Sequence, residues 1–241
     1  MNCNPPSSRT EPVEAVSVTL IVPTLNEERN LHPCLAAAHA AGREFELIVV
    51  DGGSTDRTSD IARSFGATVA QSPIAQRAAQ MNYGAERAHG DIFVFLHADT
   101  ILPPDWLTAL RRALLRRPET VGGVFRRRFN SESVFLRMTC RLADWRARQF
   151  GWFLGDQTIF VRRAAFRAAG GFSPMKVFED LEFSLRLSKL GPTTVLPTTA
   201  VSSGRRFLAK GPVRQTLADL RMTMQFLRKR RALGAAPTAR V

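Results

Sequence analysis

Continuous apolar runs, each closed by small or polar residues, pace the first hundred positions. Val16–Val22, Phe45–Val50, Ala67–Ala70 and Phe93–Leu96 each predict a strand. The last, Phe93-Val94-Phe95-Leu96, shows no alternation, as a strand covered on both faces does. Helical spacing fills the gaps, with Leu31, Leu35 and Ala38 after the Pro23–Glu28 turn, a helix from Asp56 to Phe65, and one over about Ala75–Ala88. Asn26 is placed to cap the first of these helices and Asp56 the second, and Glu27 and Glu28 suit a positive helix end. This rhythm predicts an α/β domain with a mostly parallel, doubly wound sheet and helices on both faces.

Beyond residue 104 the pattern is less regular. Pro104–Leu115 reads as a helix, Val121–Phe129 and Thr158–Val161 as strands, and a helix ends at Gly170-Gly171-Phe172. Another opens at Glu179-Asp180-Leu181-Glu182, where three carboxylates complement the positive helix end. A last helix starts at Pro212 with Leu217, Leu220, Met224 and Leu227 on one face. No element is assigned between Leu187 and Ser202. Phe135, Met138, Leu142 and Trp145 form an apolar stripe on a further helix that carries Arg137, Arg141 and Arg148 on another face. The stripe is expected to be core; its alternative is an interfacial helix on a membrane surface. The whole divides into a flexible lead-in (1–15), one domain (16–232, with halves meeting at 110/111) and a tail (233–241).

Charge sharpens the division. Residues 1–110 hold 7 basic and 13 acidic side chains, whereas residues 111–241 hold 27 and 8. Arginine bias accounts for much of the total of +13, since 30 of the 34 basic residues are arginine, but not for the asymmetry. The second half is built to meet polyanions: nucleic acid, anionic lipid or phosphorylated ligands. Three scattered cysteines, Cys3, Cys34 and Cys140, point to reduced thiols and a cytoplasmic setting rather than a zinc cluster.

The chemistry sits where strands end. Thr24, Asp51 and Asp99 fall at three successive strand ends, on the rim where open α/β sheets bind ligands. Gly52 and Gly53 allow close backbone approach there. His97 and Asp99, two residues apart, fit a divalent-cation site or a polar strand end in which Asp99 caps the turn. A Gly-x-Gly-x-x-Gly fingerprint and a Walker A loop are both lacking, which lowers dinucleotide oxidoreductases and P-loop enzymes.

Pro23-Thr24-Leu25-Asn26-Glu27, Val50-Asp51-Gly52-Gly53-Ser54-Thr55-Asp56 and His97-Ala98-Asp99 together resemble the donor half of family-2 glycosyltransferases with the GT-A fold. The resemblance implies a nucleotide-sugar site, UDP-linked by preference, with Mn or Mg held by Asp99 and His97. His97 stands where the family usually has the first aspartate of Asp-x-Asp. The implied donor surface takes in Pro23, Thr24, Asn26, Glu27, Asp51, Gly52, Ser54, Gln76, Arg77, Asn82 and Ala98. Arg205 and Arg206 resemble the family's diphosphate-closing arginines, with Phe207 in place of tryptophan. Glu179-Asp180 resembles its acceptor-side motif, which implies Asp180 as base and Glu179 as its neighbour or an acceptor contact. Arg162 and Gly170-Gly171-Phe172 extend the likeness to a subgroup with His-Ala-Asp, often associated with modified-sugar or arsenosugar biosynthesis. Expected partners are a nucleotide sugar and an unassigned acceptor alcohol, without nucleic acid, and with peripheral contact of the basic half on the inner membrane face. The alternatives are a sugar-nucleotide nucleotidyltransferase and a basic membrane- or nucleic-acid-binding protein. The sequence assigns no oligomeric state.

Overall fold

A computed structural model describes residues 16–154, 157–204, 207 and 211–234, with side chains to 230. The lead-in (1–15) and the tail from residue 235 lie outside the described residues. Along the chain run β1 (Val18–Thr24), α1 (Glu28–His39), β2 (Glu46–Asp51), α2 (Thr58–Ser64), β3 (Thr68–Gln71), α3 (Arg77–Arg87) and β4 (Ile92–Phe95). There follow β5 (Thr100–Ile101), α4 (Trp106–Arg116), β6 (Gly122–Phe129), α5 (Val134–Phe150), β7 (Ile159–Arg162) and α6 (Arg163–Ala168). The last three are α7 (Glu179–Leu187), β8 (Thr193–Ser202) and α8 (Pro212–Gly234).

The strands form one mixed sheet in the order β3-β2-β1-β4-β7-β6-β8-β5. The first four neighbours are parallel, with Thr24 level with Asp51 and Ile21 with Phe95, so β1, β2 and β4 end on one rim. β7 then runs antiparallel to both β4 and β6, while β6 and β8 pair in parallel. The doubly wound α/β architecture expected from the strand rhythm is present.

Apolar alternation sends strand residues into two cores. Leu20, Val22, Val49 and Val94 pack with α1 and with Trp106 and Leu110 of α4. Ile21, Val50, Phe93 and Phe95 face α3, α6 and α7, where Phe95, Phe166, Phe172 and Phe183 form an edge-and-tilt aromatic cluster. Such arrangements add about 0.5–1.5 kcal/mol per pair to the area they bury. Where β6 passes β8, a Cβ on Gly123 would collide with the Thr194 carbonyl oxygen, so only glycine permits this strand spacing.

Two expectations are corrected here. β8 occupies the stretch left without an element, and it carries a bulge: Phe125 pairs with Leu196 but Arg126 with Thr199, leaving Pro197 and Thr198 extra. The stripe on α5 is not core. Leu136, Cys140, Ala143 and Ala147 are buried instead, while Met138, Leu142 and Trp145 stand 63%, 59% and 52% exposed. The small residues on the adjacent face are what allow α5 to approach the sheet.

Candidate active site

Two strand-end loops lock together. Asn26 adopts a left-handed backbone (φ 54°), and its N–H donates to Ser54 Oγ at 2.8 Å. Ser54 Oγ in turn donates to Asp51 Oδ1 at 2.5 Å, and Thr55 N–H donates to Asn26 Oδ1 at 2.9 Å. Asn26 is therefore a clamp between loops and not the N-cap expected of it. The N-terminal amides of α1 are satisfied from across the gap: Glu27 N–H by Thr58 Oγ1 (2.8 Å) and Glu28 N–H by Asp56 Oδ2 (3.1 Å). Asp56 also accepts from Thr58 N–H at 3.0 Å, so one carboxylate caps both α1 and α2. The hydrogen bond from the Thr58 hydroxyl holds that carboxyl below the usual range.

Asp51 reaches the rim as expected, but its side chain is fully buried. Ser54 N–H, Ser59 Oγ and Gln71 Nε2 all donate to its carboxylate. The carboxylate expected to hold base or ribose bonds within its own loop, where it fixes the backbone at Ser54. Thr24 is also buried, with its hydroxyl on the Val50 carbonyl at 3.4 Å. Beneath both loops Gln80 Nε2 donates to the Thr24 and Val50 carbonyls at 2.7 and 2.9 Å. This buried amide, which ties β1 to β2 under the site, went unread in the sequence. A lone glutamine on a helix carries no signal until its depth is known.

Asn82 joins α3 to a distant turn. Its Nδ2 donates to the Phe172 carbonyl and its Oδ1 accepts Phe172 N–H, both at 2.8 Å. The amide thereby holds the Gly170-Gly171-Phe172 turn. Asn82→Ala is expected to lower stability by about 1–3 kcal/mol, because two buried backbone groups lose their partner. A thermal melt unchanged from wild type would contradict this. Arg162 donates to the Thr120 and Pro118 carbonyls.

At the third strand end, Leu96 N–H still pairs with the Ile21 carbonyl before the chain turns, with Thr100 N–H on the His97 carbonyl at 3.0 Å. Ala98 is buried, and His97 and Asp99 are half-buried at a cavity of about 390 Å³. Arg77, Arg127, Phe178 and Asp180 line the same cavity. β8 braces the turn: Ser203 N–H donates to the Asp99 carbonyl (3.2 Å), and Ser202 and Thr100 hydroxyls meet at 2.9 Å. Ser202 and Ser203 also line the cavity, and were missed because β8 was missed. Cys34 lies beneath, its Sγ 3.6 Å from the His97 carbonyl, and burial together with the Asp99 charge pushes its thiol far up.

The far side of the cavity is set by the start of α7. Phe178, in a left-handed conformation (φ 65°), turns the chain into the helix and stacks on Phe226 of α8 at 5.2 Å. A bulky residue in that region is held only by its surroundings. Asp180, 5% exposed, accepts Leu181 N–H at 2.7 Å. Glu179 is 1% exposed and ion-paired with Arg77 of α3, an arrangement that positions the start of α7 beside the first two loops. Burial alone would raise the Glu182 carboxyl, but hydrogen bonds from Arg186 and Ser173 outweigh it and hold it low. Arg205 and Arg206 lie outside the described residues. Gln76 is half-buried at the start of α3, and Pro23 is buried where β1 ends.

A mixed sheet in this order, with a histidine–aspartate turn and a second carboxylate converging outside its parallel strand ends, defines a GT-A-type glycosyltransferase. The chain belongs to glycosyl transferase family 2, whose model matches residues 19–172. It is 31% identical over 180 residues to the PGL/p-HBAD biosynthesis glycosyltransferase of Mycobacterium tuberculosis, covering 70% of this chain and 68% of that protein. It is 31% identical to the undecaprenyl-phosphate 4-deoxy-4-formamido-L-arabinose transferase of Edwardsiella ictaluri, over 53% of this chain but 42% of the relative. Among solved structures, S. aureus TarS 1-349 in complex with UDP superposes with TM-score 0.65 at 20% identity, over 80% of this chain and 62% of that one. Mannosyltransferase PcManGT of Pyrobaculum calidifontis, in complex with GDP-Man and Mn²⁺, gives 0.60 at 21%, over 80% and 60%. At these identities the structures establish the shared fold, and this chain spans about three fifths of each.

Proposed function

We propose that the chain moves a sugar, with inversion, from a UDP-linked donor to an acceptor hydroxyl. The observation that carries this is the convergence of Asp99, His97, Arg77 and Asp180 on one cavity. The Pro23–Glu27 and Asp51–Ser54 loops form the donor wall beside it, together with Gln76 and the Ala98 turn. The acceptor oxygen bonds to the sugar carbon as the bond to the diphosphate breaks, and Asp180 takes the hydroxyl proton. No covalent intermediate is required. Arg77, half-exposed at the cavity and anchored by Glu179, adds positive charge on the side where the diphosphate departs.

Among the described residues no group of three or more His, Cys, Asp or Glu side chains could hold a metal ion. His97 and Asp99 still suit Mn²⁺ or Mg²⁺, which take few protein ligands and complete their shell with substrate phosphates and water. When bound, the cation supplies charge neutralisation on the leaving diphosphate. His97 makes the chain a His-Ala-Asp variant of the family, and we extend to it the subgroup's association with modified-sugar biosynthesis. The cytoplasmic setting belongs to the same proposal.

UDP with Mn²⁺ is expected to raise the melting temperature by roughly 5–10 °C at a hundredfold excess over Kd. Asp99→Ala should abolish the Mn²⁺-dependent part. A variant that keeps it would remove Asp99 from the cation site.

A further inference from the structure

α8 is turned inside out for a helix on a water-soluble domain. Its polar Gln215 and Thr223 are buried, and Thr216, Asp219 and Thr223 face the cavity. Its Val213, Leu217, Leu220, Met222 and Met224 are exposed. α5 packs against it and adds Val134, Met138, Leu142, Trp145 and Phe150, all exposed. Val177, ahead of α7, completes the patch. Leu142, Val177, Leu220 and Met222 are both exposed and cavity-lining, so they form the rim through which the active site opens. Contiguous apolar surface on this scale marks an interface, not ordinary solvent-facing surface.

Charge selects the occupant. α5 carries Arg137, Arg141, Arg146 and Arg148 against one acid, Asp144. The described side chains of α8 carry Arg214, Arg221, Arg228, Lys229 and Arg230 against Asp219. Beside the apolar row a second cleft of about 540 Å³ is lined by Arg126, Arg128, Arg137 and Arg141 together with Val134 and Met138. Its carboxylate, Asp144, is pushed above the usual range by burial, against the pull of Arg126 and Arg148. Two copies of this face would set arginine rows against each other, which disfavours self-association. Apolar side chains interleaved with guanidiniums match the boundary between acyl chains and anionic headgroups.

We propose that the α5–α8 face docks on an anionic lipid bilayer, with Val134, Met138 and Trp145 entering the interface and the arginine cleft taking headgroup phosphates. Among the described residues no helix is long and apolar enough to cross a membrane, so the contact is one of surface insertion. Resting on the transferase reading above, the docked cavity mouth faces the interface, and the acceptor is an amphiphile that presents its hydroxyl there.

The test is sedimentation of the full chain with vesicles of phosphatidylcholine containing phosphatidylglycerol, and with phosphatidylcholine alone. Binding is expected to the anionic vesicles, falling steeply with salt. The double variant Met138→Glu/Trp145→Glu is expected to weaken it about tenfold or more, and Arg137→Glu/Arg141→Glu similarly. These residues lie outside the catalytic cavity and are exposed, so the fold and the UDP–Mn²⁺ stabilisation should persist. Wild-type protein that stays in the supernatant, or variants that sediment equally, would overturn the docking. So would a wild-type dimer in sedimentation velocity that Met138→Glu/Trp145→Glu dissolves, since the face would then be a self-interface. Failure of UDP–Mn²⁺ stabilisation in wild type would instead strike the transferase reading and leave the sedimentation result standing.

Discussion

Asp180→Asn is expected to lower turnover by about 10²- to 10⁴-fold while leaving UDP–Mn²⁺ stabilisation at the wild-type level. That range corresponds to about 3–5 kcal/mol of lost transition-state stabilisation. The amide has the shape of the carboxylate, and its oxygen can still accept the Leu181 N–H that now holds Asp180 at the start of α7. Proton acceptance from the acceptor hydroxyl is what it loses. The loops proposed to hold the donor follow β1 and β2 and are separate from α7, so nucleotide binding offers a separate readout. Transfer measured with a nucleotide sugar at saturating donor would decide the matter, and turnover within a few-fold of wild type would remove Asp180 as base.

Trp106→Ala should have the largest effect on stability, about 3–5 kcal/mol. Trp106 is fully buried, donates Nε1–H to the Ala38 carbonyl at 2.9 Å, and meets Phe45 edge-on at 5.2 Å. Its removal leaves a cavity between α4 and α1 and takes one donor from the Ala38 carbonyl near the end of α1. The expected drop in melting temperature is roughly 6–20 °C for a domain of this size. A thermal melt followed by circular dichroism measures it, and a loss below about 1 kcal/mol would show that the layer repacks around the gap.

The first half of the fold was legible because parallel strands covered on both faces write themselves as unbroken apolar runs. β1 and β2 end on Thr24 and Asp51, and β4 runs through Leu96 into the His97–Asp99 turn, so the apolar runs mark three neighbouring strand ends. Side-chain direction was not legible. Asp51 and Asn82 are polar residues whose side chains bond the turns beside them, contacts that no periodicity reveals. β8 was missed because it is threonine-rich, half-buried and interrupted by Pro197, which sits in the bulge that lets a proline enter a strand. Ser202 and Ser203 were lost with it. The stripes on α5 and α8 were found by periodicity, which gives a face but not what the face meets. Their outward orientation depends on the small stripe Cys140-Ala143-Ala147 and on buried Gln215 and Thr223, which register weakly on any hydropathy count.

The interlock of the first two loops bears on how they could be re-engineered. Asn26, Ser54, Thr55, Asp56 and Thr58 satisfy one another across a gap of about thirty residues in sequence, so neither loop is an independent module. Single changes in one should show non-additive energies with changes in the other. Grafting a relative's Asp51–Thr58 segment without its matching Pro23–Glu28 turn would put at risk the Thr58 and Asp56 oxygens that accept the Glu27 and Glu28 amides. The two segments are the smallest unit that can be exchanged, and they have to travel as a pair.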